Sequence, residues 1–192
     1  MDAHKLPHEV DSSAMAILLK SYREDVRQKA ETYFNVAKEK NNSLPPIGEL
    51  ATMKGNAVEG AKVFTSYCTT CHAENGNGTD FGPNLSEIGT KLAKSAIYKS
   101  IITPDDGISF GYEGYTFKLK NGKELVGYVS SKTPTEVDIK IIGGTVEKIP
   151  AKDIVSQKPY GHSLMPTGLA TSMSQDQLVN LVEFLSGLKK KK

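Results

Sequence analysis

The stretch Ser66–Gly76, SYCTTCHAENG, holds both cysteines of this 192-residue chain, with His72 directly after the second. Three chemistries use such a pattern. A structural zinc site needs about four Cys or His ligands, usually as two pairs; here there is no second cysteine pair, and the remaining histidines are His4, His8 and His162. A thioredoxin-like dithiol follows a strand within a βαβ unit, whereas the preceding run NAVEGAKVFTSY reads as a helix. Covalent haem attachment is signalled directly by Cys-x-x-Cys-His. The thiols of Cys68 and Cys71 would add to the two haem vinyl groups, and the two residues between them let the thiols reach both edges. His72 would then lie under the iron as proximal ligand. One cofactor would consume both cysteines.

The flanking residues must position this motif. Gly60 and Phe64 precede Cys68 by eight and four residues, so all three share one face of a helix. A glycine inside a helix costs roughly 0.5–1 kcal/mol against alanine. Its presence points to close approach by another backbone, unless Gly60 merely starts the helix. A glycine-rich loop, GNGTDFGPNLSEIG, follows the motif and contains Gly82-Pro83. Near the C-terminus, SQDQLVNLVEFLSGL opens on Ser174 as a cap and carries Leu178, Leu181, Val182 and Leu185 at helical spacing. Phe184 is the aromatic expected against the Gly60 helix.

GAKVFTSYCTTCH, GPNL, SLMP and LVNLVEFLSGL, in this order, resemble a class I cytochrome c across roughly residues 55–188. The order is similar in particular to the haem-binding domain at the C-terminus of large planctomycete and verrucomicrobial proteins. The resemblance implies that the carbonyl of Pro83, in the Gly82-Pro83 pair, accepts the hydrogen bond of His72, fixing the ring and tuning the iron. It also offers Met165, the methionine of SLMP, as sixth ligand of one covalently attached haem c. A thioether paired with histidine raises the reduction potential, and Pro166 prevents this segment from continuing as a helix. The alternative is that Met165 fills the core, as methionine commonly does. Of the five methionines, Met173, just before the last helix, is the main rival. His162, three residues before Met165, would give a bis-histidine site of lower potential if it bound iron; a surface or propionate-side position is the competing reading.

His72 and Met165 stand 93 residues apart, more than a minimal cytochrome c needs. The surplus has a different texture. YTFKLK alternates apolar and polar residues, Asn121-Gly122 marks a two-residue hairpin turn, and KELVGYVSS, EVDIKII, TVEKIP and DIVSQ follow as further strands. Val137, Ile139 and Ile141 share one strand face. Five short strands in about 45 residues suggest a small barrel similar to an SH3-like or Sm-like fold. Tyr115, Phe117 and Tyr128 are expected in its core, and the barrel is expected to shield the haem edge or dock a partner domain. Tyr112 and Tyr115 lie where the chain enters it and could reach a haem propionate. Ahead of the motif, Met15, Leu18, Tyr22, Val26, Ala30, Tyr33 and Ala37 form a helical stripe capped by Asp11 or Ser12 and ended by NNSLPP.

The expected fold is therefore a mainly α, class I cytochrome c fold with an inserted five-stranded small β-barrel and an N-terminal amphipathic arm. Residues 1–50 are arm and linker, 51–114 the first part of the cytochrome domain, 115–157 the barrel, and 158–192 the distal ligand loop and C-terminal helix. A net charge of +2, of which Lys189–Lys192 supply four positive charges, gives no argument for nucleic acid. No apolar run approaches the ~20 residues of a membrane-spanning helix. No constellation for enzymatic chemistry is present. The leading function is one-electron transfer, and the resemblance implies the role of electron-accepting domain in a larger exported redox protein, supplied by a redox partner or a fused dehydrogenase domain, with oligomeric state open. The competing function is a haem-based gas or redox sensor with a displaceable Met165. A peroxidase would need His162 as its distal acid–base residue. Covalent haem attachment takes place outside the bacterial inner membrane, so the resemblance implies a periplasmic or otherwise exported location, although no signal sequence is seen in this chain.

Overall fold

The computed structural model describes residues 44–190, together with Leu18 and 26–29 of the N-terminal arm. Within the predicted stripe, Leu18 and Val26 are helical; its other members, and the predicted caps Asp11 and Ser12, lie outside the described residues. Among the described residues, no helix is long and apolar enough to cross a membrane.

Within residues 44–190, five α-helices and seven strands follow in chain order: α1 (Ile47–Leu50), α2 (Ala57–Tyr67), β1 (Ala73–Glu74), β2 (Asn77–Gly78), α3 (Ile88–Lys91), α4 (Lys94–Ile102), β3 (Tyr115–Leu119), β4 (Glu124–Lys132), β5 (Glu136–Ile141), β6 (Val146–Pro150), β7 (Ile154–Pro159) and α5 (Gln175–Gly187). Helix α2 begins where Asn56 Oδ1 accepts from the backbone N–H groups of Val58 and Glu59, at 2.9 and 3.3 Å. These are two of the donors that a helix start leaves unpaired. Helix α5 begins with a full capping box, in which Ser174 and Gln177 each bond the other's backbone N–H.

Helices α2 and α5 cross at Gly60. A Cβ there would sit 1.9 Å from the carbonyl oxygen of Asn180, so only glycine lets the two backbones meet. One turn on, the Phe64 and Phe184 rings pack with centroids 5.6 Å apart. Leu178, Leu181 and Val182 of α5 are completely buried against α2 and α4. At an ordinary helix position, Gly→Ala gains ~1 kcal/mol. At Gly60 the sign should reverse: overpacking against backbone costs ~1–3 kcal/mol. Denaturant unfolding of Gly60→Ala should show this loss.

An ion pair closes the same corner. Glu183 of α5 accepts from Lys94 Nζ at 2.6 Å and from the Gly55 backbone N–H at 3.1 Å. The bond from Lys94, then that from Gly55, hold its pKa below the ordinary 4.5. A carboxylate whose folded pKa is depressed adds stability above its unfolded pKa and loses it as pH falls through the folded one. Thermal melts should therefore decline below about pH 4.5, and Glu183→Gln should flatten part of that acid slope. The pair is partly exposed, so the effect is under ~1 kcal/mol.

The predicted strands form one five-stranded antiparallel sheet, in the order β6-β5-β4-β3-β7. Phe117, Leu125, Val137, Ile139 and Ile149 fill its inner face, with Ile141 partly buried beside them. Register shifts at Lys118/Leu119 and Val129/Ser131 bend it. The expected closed barrel is not formed: β6 and β7 are the two edges and share no ladder, although only the short turn Ala151–Asp153 separates them. Alternating patterning specifies strands and a buried face, while closure depends on tilt and stagger that patterning does not encode. The Asn121-Gly122 turn also differs from the two-residue expectation. Leu119 N–H bonds the Lys123 carbonyl and Gly122, at φ +83°, bonds back to Leu119, which makes a three-residue loop with glycine in the left-handed position.

Candidate cofactor site

Helix α2 delivers Cys68 at its C-terminal end, where the backbone N–H of Cys68 still bonds the Phe64 carbonyl at 2.8 Å. The chain then turns tightly. The N–H groups of Cys71 and His72 both reach the Cys68 carbonyl, at 3.1 and 2.8 Å, so the motif wraps one turn with its three side chains on one side. A small hairpin, β1–β2, follows through Asn75-Gly76, both with positive φ, and its second strand lies in the glycine-rich stretch expected to be only loop. Its return strand leads to Phe81 and Gly82, whose N–H groups both donate to the Cys71 carbonyl, at 3.1 and 2.6 Å.

That return places Gly82-Pro83 behind the His72 ring. A Cβ on residue 82 would lie 2.5 Å from His72 Cε1 and 2.8 Å from Nδ1, so the ring rests directly on bare backbone. His72 Nδ1 is 2.7 Å from the Pro83 carbonyl oxygen. A carbonyl can only accept, so Nδ1 carries the proton. Burial lowers the His72 pKa more than the Pro83 bond raises it. The ring is thus neutral near pH 7, with the lone pair on Nε2, the state a metal-ligating histidine requires.

An apolar cavity of about 250 Å³ opens before the ring. Cys68, Cys71, His72 and Met165 all line it, together with Gly82 and Pro83. Burial, then the neighbouring Cys71, push the Cys68 thiol up to about 12. A dithiol nucleophile needs the opposite, a thiolate stabilised at a helix N-terminus or by a cation; Cys68 sits at a helix C-terminus, where the dipole is negative. Among the described residues, no three His, Cys, Asp or Glu side chains gather as a metal cluster. Two adjacent thiols on the wall of an apolar cavity, a neutral histidine with its ring backed by glycine, and a thioether on the same cavity fit a covalently held haem.

Residues 57–123 match the family model for cytochrome c. The chain carries a cytochrome c domain. Such domains are electron carriers and hold covalently attached haem c. The match runs from the start of α2 through β3 to the first residue before β4, so the sheet begins inside it. A search of curated proteins finds no match to the chain.

The other expected site residues divide clearly. Met165 is partly buried on the cavity, and its N–H donates to Ser163 Oγ at 3.1 Å. Its rival Met173 is buried in the helical core and does not line the cavity. His162 is exposed, 3.1 Å from Asp105 Oδ2, and is likewise outside the lining. Tyr112 lines the cavity, whereas Tyr115 packs on Phe117 within the sheet and does not. Tyr128 is the correction with the widest consequence. It was expected inside the barrel but faces the other way, buried with Phe81 and Leu164 on the cavity wall. Its ring lies 5.6 Å from Phe81 and 5.1 Å from Tyr112. Alternation along β4 already separates it: Leu125 and Val129 face the sheet core, Val126 and Tyr128 the opposite side. Helix α4, which brings Ile97 and Ile101 to the cavity, also went unanticipated, though these two residues sit at i,i+4 spacing.

Proposed function

We propose that this protein carries single electrons through one haem c attached at Cys68 and Cys71, with His72 and Met165 as axial ligands. One observation supports it above the others: a neutral His72, its Nδ1 committed to Pro83, shares a single apolar cavity with both cysteines and Met165. The haem would supply one-electron chemistry at its iron. The chain's part is to present Nε2 of His72 and the Met165 sulfur, to exclude water with Ile97, Ile101 and Leu164, and to fix the ring through Pro83. Thioether ligation sets a high potential, suited to receiving electrons from a dehydrogenase-type partner or fused domain. In this reading the protein is not itself an enzyme. It is an exported, planctomycete-type haem domain, since haem attachment occurs outside the inner membrane.

Optical spectra of the oxidised and reduced protein, with carbon monoxide added last, test this. The expected result is a low-spin cytochrome c spectrum with the sulfur-to-iron charge-transfer band and no response to carbon monoxide. Ready formation of a carbon monoxide complex would overturn the electron carrier in favour of a gas sensor. A protein without haem would overturn both.

A further inference from the structure

We propose that Lys140, delivered by the inserted sheet, is a positioning residue that places a fixed positive charge beside the cavity and favours the reduced state of a haem held there. This rests on the haem-binding reading above. Tyr128 of β4 forms part of the cavity wall. Its direct cross-strand partner on β5 is Lys140. The Lys140 ammonium lies 2.7 Å from Asp80 Oδ2. Asp80 stands immediately before Phe81-Gly82-Pro83, the loop that backs His72. The sheet is thereby tied to the loop behind the proximal histidine through one cation.

The pair is lopsided. The Lys140 side chain is 13% exposed and that of Asp80 77%. Water screens the Asp80 carboxylate more than the Lys140 ammonium, whose residue is paired across the strands with Tyr128 of the cavity wall. On this proposal the balance of the two fields at the cavity is positive. Oxidation adds one positive charge at the iron, so a nearby cation opposes it. A sheet that merely shielded the cavity would need no lysine paired across from Tyr128 at this register.

Redox titrations of the full haem-loaded chain, with Lys140→Met, Lys140→Arg and Asp80→Asn, separate charge from docking. Lys140→Met should shift the midpoint potential down, Asp80→Asn should shift it up, and Lys140→Arg should leave it near wild type. Both Lys140→Met and Asp80→Asn break the same ion pair. A role limited to docking the sheet therefore moves both potentials in one direction, and that result, or no shift in either, overturns the proposal. Where Lys140→Met fails to fold, as judged by thermal melting, Lys140→Gln is read in the same way. Haem content of the wild type is measured first. Its absence would sink the haem-binding reading itself, a failure distinct from haem present with the wrong pattern of shifts.

Discussion

Met165→Ala should lower the reduction potential by on the order of hundreds of millivolts, within the ~0.8 V that axial-ligand identity spans, and should let carbon monoxide bind the reduced protein. Met165 reaches the same cavity as His72, and its loss leaves no second thioether there among the described residues. Met173, eight residues on, provides the contrast. It is 7% exposed within the helical core. Met173→Ala should cost stability of ~2–5 kcal/mol while leaving the charge-transfer band in place. His162→Ala should change neither quantity, because the ring is exposed and paired with Asp105. A Met165→Ala protein that keeps the band, alongside a Met173→Ala protein that loses it, would exchange the two roles.

The parts of this molecule legible in the sequence are those specified over a few residues. The Cys68-x-x-Cys71-His72 turn, the Ser174 cap and the helical stripe of α5 each sit within one or two turns of chain. Gly60 also announced itself, because a glycine in a helix interior is unfavourable unless something approaches closely, and Asn180 does. Strand spacing predicted the sheet, and its inward face of Val137 and Ile139 was correct. What stayed hidden depends on how elements meet. Alternation assigned Tyr128 to a face but could not say that this face lies against the cavity, so a large aromatic was placed in the nearest expected core. Openness of the sheet likewise depends on whether β6 and β7 come within pairing distance, which no local pattern reports. Tyr115 and Tyr112, three residues apart, were both offered to a haem propionate, although Tyr115 was also expected in the sheet's core, where it packs. Yet one belongs to the sheet and the other to the cavity, because β3 begins at Tyr115.

The second large effect is expected at Gly82, where local chemistry and tertiary contact coincide. Its amide is anchored to the Cys71 carbonyl at 2.6 Å. Its bare α-carbon faces the His72 ring, and the next residue's carbonyl holds Nδ1. A side chain at this position would press on the ring from the edge that Pro83 must reach, at 2.5–3.0 Å from three of its atoms. The ring cannot retreat without surrendering the Pro83 bond, and the loop cannot retreat without breaking the bonds to Cys71. Disturbing the group that orients a metal-bound histidine typically costs ~10–100-fold in affinity or activity. Gly82→Val should therefore fold, since α2, α5 and the sheet do not depend on it, but should lose haem incorporation or low-spin character by a factor of that order. Gly48→Ala, where an added Cβ meets nothing within 4 Å, is the matched control. Haem content per protein, read beside far-ultraviolet circular dichroism, separates a displaced histidine from an unfolded chain. A Gly82→Val protein with wild-type haem content and spectrum would mean that the ring does not need the bare backbone behind it.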